Sequence, residues 1–229
     1  MFDITKIKAV LWDLDDTLYS RIAAARLTYP GMFRTHLYKN RDDAFIEAAA
    51  DFMIDHLVRD SMIHESSFQA LLQAFPPEKE FSLADCQAYY FDHIHEFAVA
   101  GQEQVAVVKK LRTLGIKTAI VTNVAKERLD FQRRKIDTMG LTPLFDVIVL
   151  SGEVGVHKPD RRVFDHATRY LGVANEDCIF VGDNPDGDIV GARNAGMEAV
   201  WIDVWDDGNR FSDDPKVHRV QSVLEYFQF

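Results

Sequence analysis

The sequence is short of the features that tie a chain to an oxidising compartment, a membrane or a polyanion. Among its 229 residues only Cys86 and Cys178 are cysteines. They stand far apart and form no metal or redox motif, so buried apolar filler in a reducing compartment is expected. No basic opening leads into an apolar stretch, and no run of about 18 apolar residues occurs, so neither a secretory leader nor a spanning helix is expected. Positive charge is short as well. The 26 Lys and Arg against 36 Asp and Glu leave a net charge of −10, which speaks against duplex nucleic acid or an anionic membrane as a partner. Repeats and low-complexity segments are missing too. These absences describe a cytoplasmic, packed protein, and the 47% hydrophobic content is ample for its core. At this length one large domain fits, or a core carrying an insert.

The chain is organised around Val10-Leu11-Trp12-Asp13-Leu14-Asp15-Asp16-Thr17-Leu18. An apolar run over 7–12 reads as a buried strand that stops at three carboxylates within four residues. A sheet interior tolerates no unpaired charge, so these acids belong past the strand's carboxyl end, where an open α/β sheet forms its crevice. Period-two geometry sends Asp13 and Asp15 to the same side. Two like charges so close call for a cation or for a shared proton. Either answer is chemistry: a Mg²⁺ site, a nucleophile with an acid/base partner, or both. The plain alternative is an Asp-rich turn.

Residues 20–97 show helical periodicity and no strand-like run. Phe45, Ala48, Ala49, Phe52 and His56 mark one helix face with Asp42 or Asp43 as cap, and Phe68, Leu71, Leu72 and Phe75 mark a second that ends at Pro76-Pro77. Ser82 with Asp85 resembles a capping box before a third helix, and Pro30-Gly31 is expected to break an earlier one. From residue 101 the pattern turns to alternating helix and strand. Apolar runs at 116–121, 147–150, 178–181 and 199–202 are short and rich in branched residues, as strands covered on both faces are. Glycines at 115, 140, 172 and 196 close the helices between them. A turn at Asp206-Asp207-Gly208 and a final helix over 223–227 complete the chain. The expected fold is α/β, a doubly wound parallel sheet of five strands with a Rossmann-like core over 1–19 and 98–229. An all-helical domain over 20–97 is inserted after strand one and is expected to lie over that strand's carboxyl end as a lid.

Polar residues gather after each strand: Thr122-Asn123, then Val156-His157-Lys158-Pro159-Asp160, then Gly182-Asp183-Asn184-Pro185-Asp186-Gly187-Asp188 followed by Gly191-Ala192. In a parallel sheet these ends share one edge. Taken singly, each is an ordinary turn or helix start. Together they offer carboxylates for a metal, a hydroxyl, an amide and a lysine, which is what transfer of a phosphoryl group requires.

These four clusters resemble, in order, the four motifs of the haloacid dehalogenase-like hydrolase superfamily, in the branch with a helical cap between motifs one and two. The likeness runs along essentially the whole chain. Asp16 departs from it, standing where the family most often has glycine. The resemblance implies a Mg²⁺-dependent phosphomonoesterase for a small phosphorylated substrate. Asp13 is then the nucleophile and forms an aspartyl phosphate, while Asp15 is the general acid and base. Thr122 binds the phosphoryl group with help from Asn123, and Lys158 neutralises it. Mg²⁺ is held by the Asp13 carboxylate, the Asp15 backbone carbonyl and Asp183; Asp188 orients Lys158 or supports the metal. A dehalogenase has a halide leaving group that needs no proton and lacks the second aspartate, so Asp15 argues against one. The helical segment offers only Lys39 and Lys79 within its motif-poor stretch, neither in the setting of a Schiff-base lysine, which argues against phosphonate cleavage. A sugar-phosphate mutase shares these motifs and is the alternative; a scaffold or sensor that has kept the fold is the non-catalytic one.

The helical segment carries seven Lys or Arg against twelve Asp or Glu, which disfavours a polyanionic substrate. Tyr19 is placed to stack on a base or to pack the hinge, and Arg21 and Arg26 to meet a second anion. Nothing in the chain demands a dimer.

Overall fold

The computed structural model describes residues 6–56, 63–206, 208 and 210–229. In chain order these hold β1 (Ala9–Trp12), α1 (Arg21–His36), α2 (Asp43–Asp55), α3 (Glu65–Ala74), α4 (Leu83–Phe97), α5 (Gln102–Thr113), β2 (Lys117–Thr122) and α6 (Leu129–Thr138). They continue with β3 (Val147–Leu150), α7 (Ser151–Val154), α8 (Arg161–Leu171), β4 (Cys178–Gly182), α9 (Val190–Ala195), β5 (Glu198–Ile202), β6 (Val217–Val220) and α10 (Val223–Tyr226). The chain divides into two compact units, one formed by Met1–Ser20 with Ala100–Phe229 and the other by Arg21–Val99.

The first unit is built on one sheet in the order β3-β2-β1-β4-β5-β6, parallel throughout. β1 sits between β2 and β4, so the chain leaves it in one direction and returns on its other side. Such a switch point opens a crevice at the strands' carboxyl ends. All four β1 residues are fully buried, because both faces of the sheet are covered. Ala9 and Leu11 face a core with Val163 and Phe164 of α8, Ala192 and Ala195 of α9, and Phe180 of β4. On the other side the Trp12 ring stacks on Phe227 at 5.8 Å, and α5 and α10 pack together there. Gly172 and Gly196 end α8 and α9 in the left-handed region, at φ 67° and 94°. Near the C-terminus Asp206 and Gly208 both have positive φ; Asp207, the middle of the expected turn, lies outside the described residues.

The sheet has six strands, not the five expected. The sixth, Val217–Val220, is an edge strand that is covered at one end only. Its two central residues, His218 and Arg219, are polar and pair with Glu198 and Asp203, so it carries none of the apolar continuity that marks the other five.

Among the described residues the second unit contains four helices and no strand. α1 packs on α4 and α2, and α2 on α3. Pro30 does not break α1, which runs through it from Arg21 to His36. Packing overrides the local cost: the helix buries Ala25, Tyr29, Met32 and Phe33, and the Tyr29 ring lies 5.7 Å from Phe33 and 6.1 Å from Tyr90. In α2 the buried face is Ile46, Ala49, Ala50 and Met53. Ala48 and His56 are exposed, and Phe45 and Phe52 are only half-buried, gathered edge-on around Phe75. Asp42 caps α2, accepting from the Phe45 amide at 2.9 Å, and Ser82 caps α4 through the Asp85 amide at 3.2 Å.

Candidate active site

The site follows from where β1 and β4 end. The Asp13 amide donates to the Val181 carbonyl at 2.8 Å, holding the first residue past β1 against β4. The turn that follows brings Asp16 to φ 57°, a conformation natural to glycine that aspartate tolerates. The departure from the family pattern therefore preserves the backbone path. Past β4, Asn184 accepts from the Asp186 and Gly187 amides at 3.0 and 2.9 Å and starts a single π turn over Pro185–Ile189. That turn swings Asp188 back so that its Oδ2 accepts from the Asn184 amide at 3.0 Å. Only glycine fits before Asp183, since a Cβ on Gly182 would come within 2.6 Å of the Asp188 Cγ. The Trp201 indole on β5 donates to the Asp183 carbonyl at 3.1 Å.

Lys158 enters from the segment after β3, where its peptide bond to Pro159 is cis and Asp160 caps α8. The Asn123 side chain brackets its backbone, accepting from the Lys158 amide at 2.8 Å and donating to its carbonyl at 3.1 Å. The buried ammonium lies 2.5 Å from Asp13 Oδ1 and 2.6 Å from Asp188 Oδ1, with the Phe180 ring 5.3 Å away. Asp13, Asp183 and Asp188 each bring a carboxylate oxygen within 4.8 Å of the others.

Among the described residues, Asp13 and Asp188 face the Lys158 ammonium with Asp183 beside them, so carboxylates outnumber the ammonium in this cluster. Burial is the main influence on Asp13 and raises its pKa; the Lys158 ammonium pulls it back, Asp188 and Asp15 push it up again, and it settles at about 7. For Lys158 burial alone would disfavour the charge, but Asp13 and Asp188 more than offset it and hold the ammonium well above the ordinary lysine range. The cluster is short of positive charge, and its donors are hard oxygens. A divalent cation such as Mg²⁺ fits both facts.

The expected residues fall into two groups. Asp13, Asp183, Asp188 and Lys158 come together directly. Asp15 points to a different set of partners: Lys135 Nζ at 2.6 Å and the Tyr19 hydroxyl at 2.5 Å on Oδ1, and Gln132 Nε2 at 3.1 Å on Oδ2. Thr122 accepts from the same Gln132 at 2.9 Å. Gln132 and Lys135 were not legible as site residues in the sequence, where α6 reads as an ordinary polar helix; the one signal is a buried amide and a buried ammonium three residues apart. Tyr19 is buried against Asp15, so it packs and hydrogen-bonds instead of presenting a face for a base. Arg26 is paired within its own unit with Glu47 at 2.7 Å and Asp51 at 2.6 Å.

The chain is similar to known proteins. A protein-family model for haloacid dehalogenase-like hydrolases matches residues 7–196. The glyceraldehyde 3-phosphate phosphatase of Methanopyrus kandleri is 31% identical over 199 residues, which cover 86% of this chain and 84% of that one. The phosphoserine phosphatase of Thermus thermophilus is 44% identical over a shorter stretch of 101 residues, 44% of this chain and 39% of that one. Among solved structures, the HAD-hydrolase YfnB of Bacillus subtilis, bound to magnesium, superposes with a TM-score of 0.74 over 96% of both chains at 21% identity, a likeness of fold.

Proposed function

The chain belongs to the haloacid dehalogenase-like hydrolases, and on that footing we propose that it is a Mg²⁺-dependent phosphatase of small phosphorylated metabolites. The observation that carries the reading is the buried Asp13 carboxylate, held 2.5 Å from the Lys158 ammonium beside Asp183 and Asp188. A carboxylate so placed is a nucleophile whose approach to an anionic phosphoryl group is made possible by neighbouring positive charge. Relatives named as phosphatases support the reaction class.

In the first step an Asp13 oxygen bonds to phosphorus as the ester P–O bond breaks, and Asp15 gives its proton to the departing alkoxide. In the second, Asp15 takes a proton from water; the water oxygen bonds to phosphorus, the Asp13–phosphorus link breaks, and inorganic phosphate leaves. Thr122 donates to a phosphoryl oxygen, and Lys158 offsets the charge on the group in flight. Asn123 holds that lysine in place through its backbone, and the second hydrogen of its amide nitrogen stays available to help Thr122 bind the phosphoryl group. Asp13, Asp183 and the Asp15 backbone carbonyl are the groups that would hold Mg²⁺, with Asp188 keeping Lys158 oriented. Bound there, the ion supplies positive charge for the phosphoryl oxygens. The helical unit Arg21–Val99 carries none of the motif residues. Because Arg26 is already paired there, a second substrate anion is not read through it.

The test is phosphate release from a panel of phosphomonoesters, with Mg²⁺ and with chelator. Metal-dependent turnover of one or more is expected. Silence across the panel in folded protein contradicts the reading, and turnover that needs a bisphosphate primer replaces it with a mutase.

A further inference from the structure

Helix α6 contributes two side chains that none of the four motif clusters contains. Gln132 and Lys135 stand three residues apart, hence on one face, and both are buried. Burying an ammonium and a primary amide is costly, and apolar residues of similar size would fill the same face more cheaply. What they gain is a specific set of partners. Gln132 Nε2 donates to Asp15 Oδ2 at 3.1 Å and to Thr122 Oγ1 at 2.9 Å. Lys135 Nζ donates to Asp15 Oδ1 at 2.6 Å, with the rings of Tyr19 and Phe131 5.1 and 5.2 Å from the ammonium.

This wiring has a consequence for each partner. In its ionised form, the form that takes a proton from water in the second step, Asp15 only accepts, so its contact with Gln132 fixes which end of the amide faces the site: the nitrogen. That nitrogen then obliges Thr122 to accept. A hydroxyl that accepts from Gln132 keeps its single hydrogen for another acceptor, which is the polarity needed to meet a phosphoryl oxygen. Lys135 meanwhile fixes the rotation of the Asp15 carboxylate. One helix thus sets both the group that moves the leaving-group proton and the group that binds the phosphoryl oxygen.

We propose that Gln132 and Lys135 are positioning residues for hydrolysis, Lys135 acting through Asp15 and Gln132 through Asp15 and Thr122 together. The proposal rests on the phosphatase reading above. It separates from a merely structural role through the leaving group. An alkyl phosphate needs a proton delivered to its departing oxygen, whereas p-nitrophenyl phosphate releases a stable phenolate and depends far less on that delivery.

The experiment measures kcat and KM with Mg²⁺ on a primary alkyl phosphate and on p-nitrophenyl phosphate, for the wild type and for Lys135→Met, Lys135→Arg and Gln132→Leu. For Lys135→Met we expect kcat/KM, which reports formation of the aspartyl phosphate and not its hydrolysis, to fall about ten-fold or more on the alkyl ester, and at least about three-fold less on the aryl ester. Lys135→Arg, which keeps a cation beside Asp15, should recover much of the alkyl-to-aryl ratio. Gln132→Leu should lower kcat on both esters, since the hydroxyl of Thr122 is no longer directed. Equal losses of kcat/KM on both esters in Lys135→Met, or variants as active as the wild type, would overturn the proposal and leave the phosphatase reading standing. A folded wild type that hydrolyses neither ester overturns both. Should Lys135→Met fail to fold, the ester ratio of Lys135→Arg and the common loss in Gln132→Leu decide the matter alone.

Discussion

Replacing Lys158 by methionine removes the one ammonium among three buried carboxylates, and its cost should depend on pH in a direction that the site dictates. In the wild type that ammonium lies 2.5 Å from Asp13 and 2.6 Å from Asp188. Removing one member of a buried pair leaves an uncompensated charge and costs about 3–5 kcal/mol. For a chain of this size each kcal/mol lowers Tm by about 2–4 °C, so a drop of about 6–20 °C is expected at about pH 8 without metal. Asp13 moderates the loss in acid. Burial has already raised its pKa from 3.8 to about 7, with Lys158 pulling the other way, so removing Lys158 raises it further. A carboxyl raised in the folded state contributes stability in full below its ordinary value and loses it as pH climbs through the raised one. At about pH 5.5 the variant's Asp13 carries its proton and adds no stranded charge, so the loss should be smaller than at about pH 8, with Asp188 still deprived of its ammonium. Urea unfolding of both proteins in chelator at the two pH values measures this. A destabilisation below about 1 kcal/mol at the higher pH, or one that is equal or larger in acid, would refute the electrostatic account of the site.

Two further outcomes follow from the same geometry. Mg²⁺ should raise Tm more at about pH 8 than at about pH 5.5, because a cation competes with the proton that Asp13 holds below about 7; a shift independent of pH, read by scanning fluorimetry, contradicts this. Gly182→Ala should cost about 1–3 kcal/mol and weaken Mg²⁺ binding, because the new methyl group displaces Asp188; unchanged stability and unchanged metal-induced stabilisation would show that the Asp188 position does not depend on that glycine.

How much of this could be read in the sequence varies with how each element is stabilised. The five strands with apolar continuity are covered on both faces, and burial is written directly in their composition. β6 escaped because an edge strand needs little burial: His218 is held by a contact with Glu198 and Arg219 by an ion pair with Asp203, both distant in sequence. Pro30 misled for the opposite reason, since the packing of α1 on α4 outweighs a local preference. In the site, Asp13, Lys158, Asp183 and Asp188 were legible because their types and order after strands carry the chemistry. Gln132 and Lys135 were not: polar residues on a helix read as solvent-facing until tertiary contacts bury them. The Asn123 contacts with the Lys158 backbone were not legible either, because they join residues 35 apart in the chain.

The central claim is that Asp13 is the nucleophile, and covalent trapping tests it most directly. The enzyme is mixed with a substrate labelled in its phosphoryl group, in the presence of Mg²⁺, quenched in acid within the first turnover and mapped by peptide. We expect the label on the peptide that contains Asp13, stable in acid and released by hydroxylamine, and its disappearance together with turnover in Asp13→Asn. A label on another residue, or an Asp13→Asn protein that still turns over, would contradict the claim.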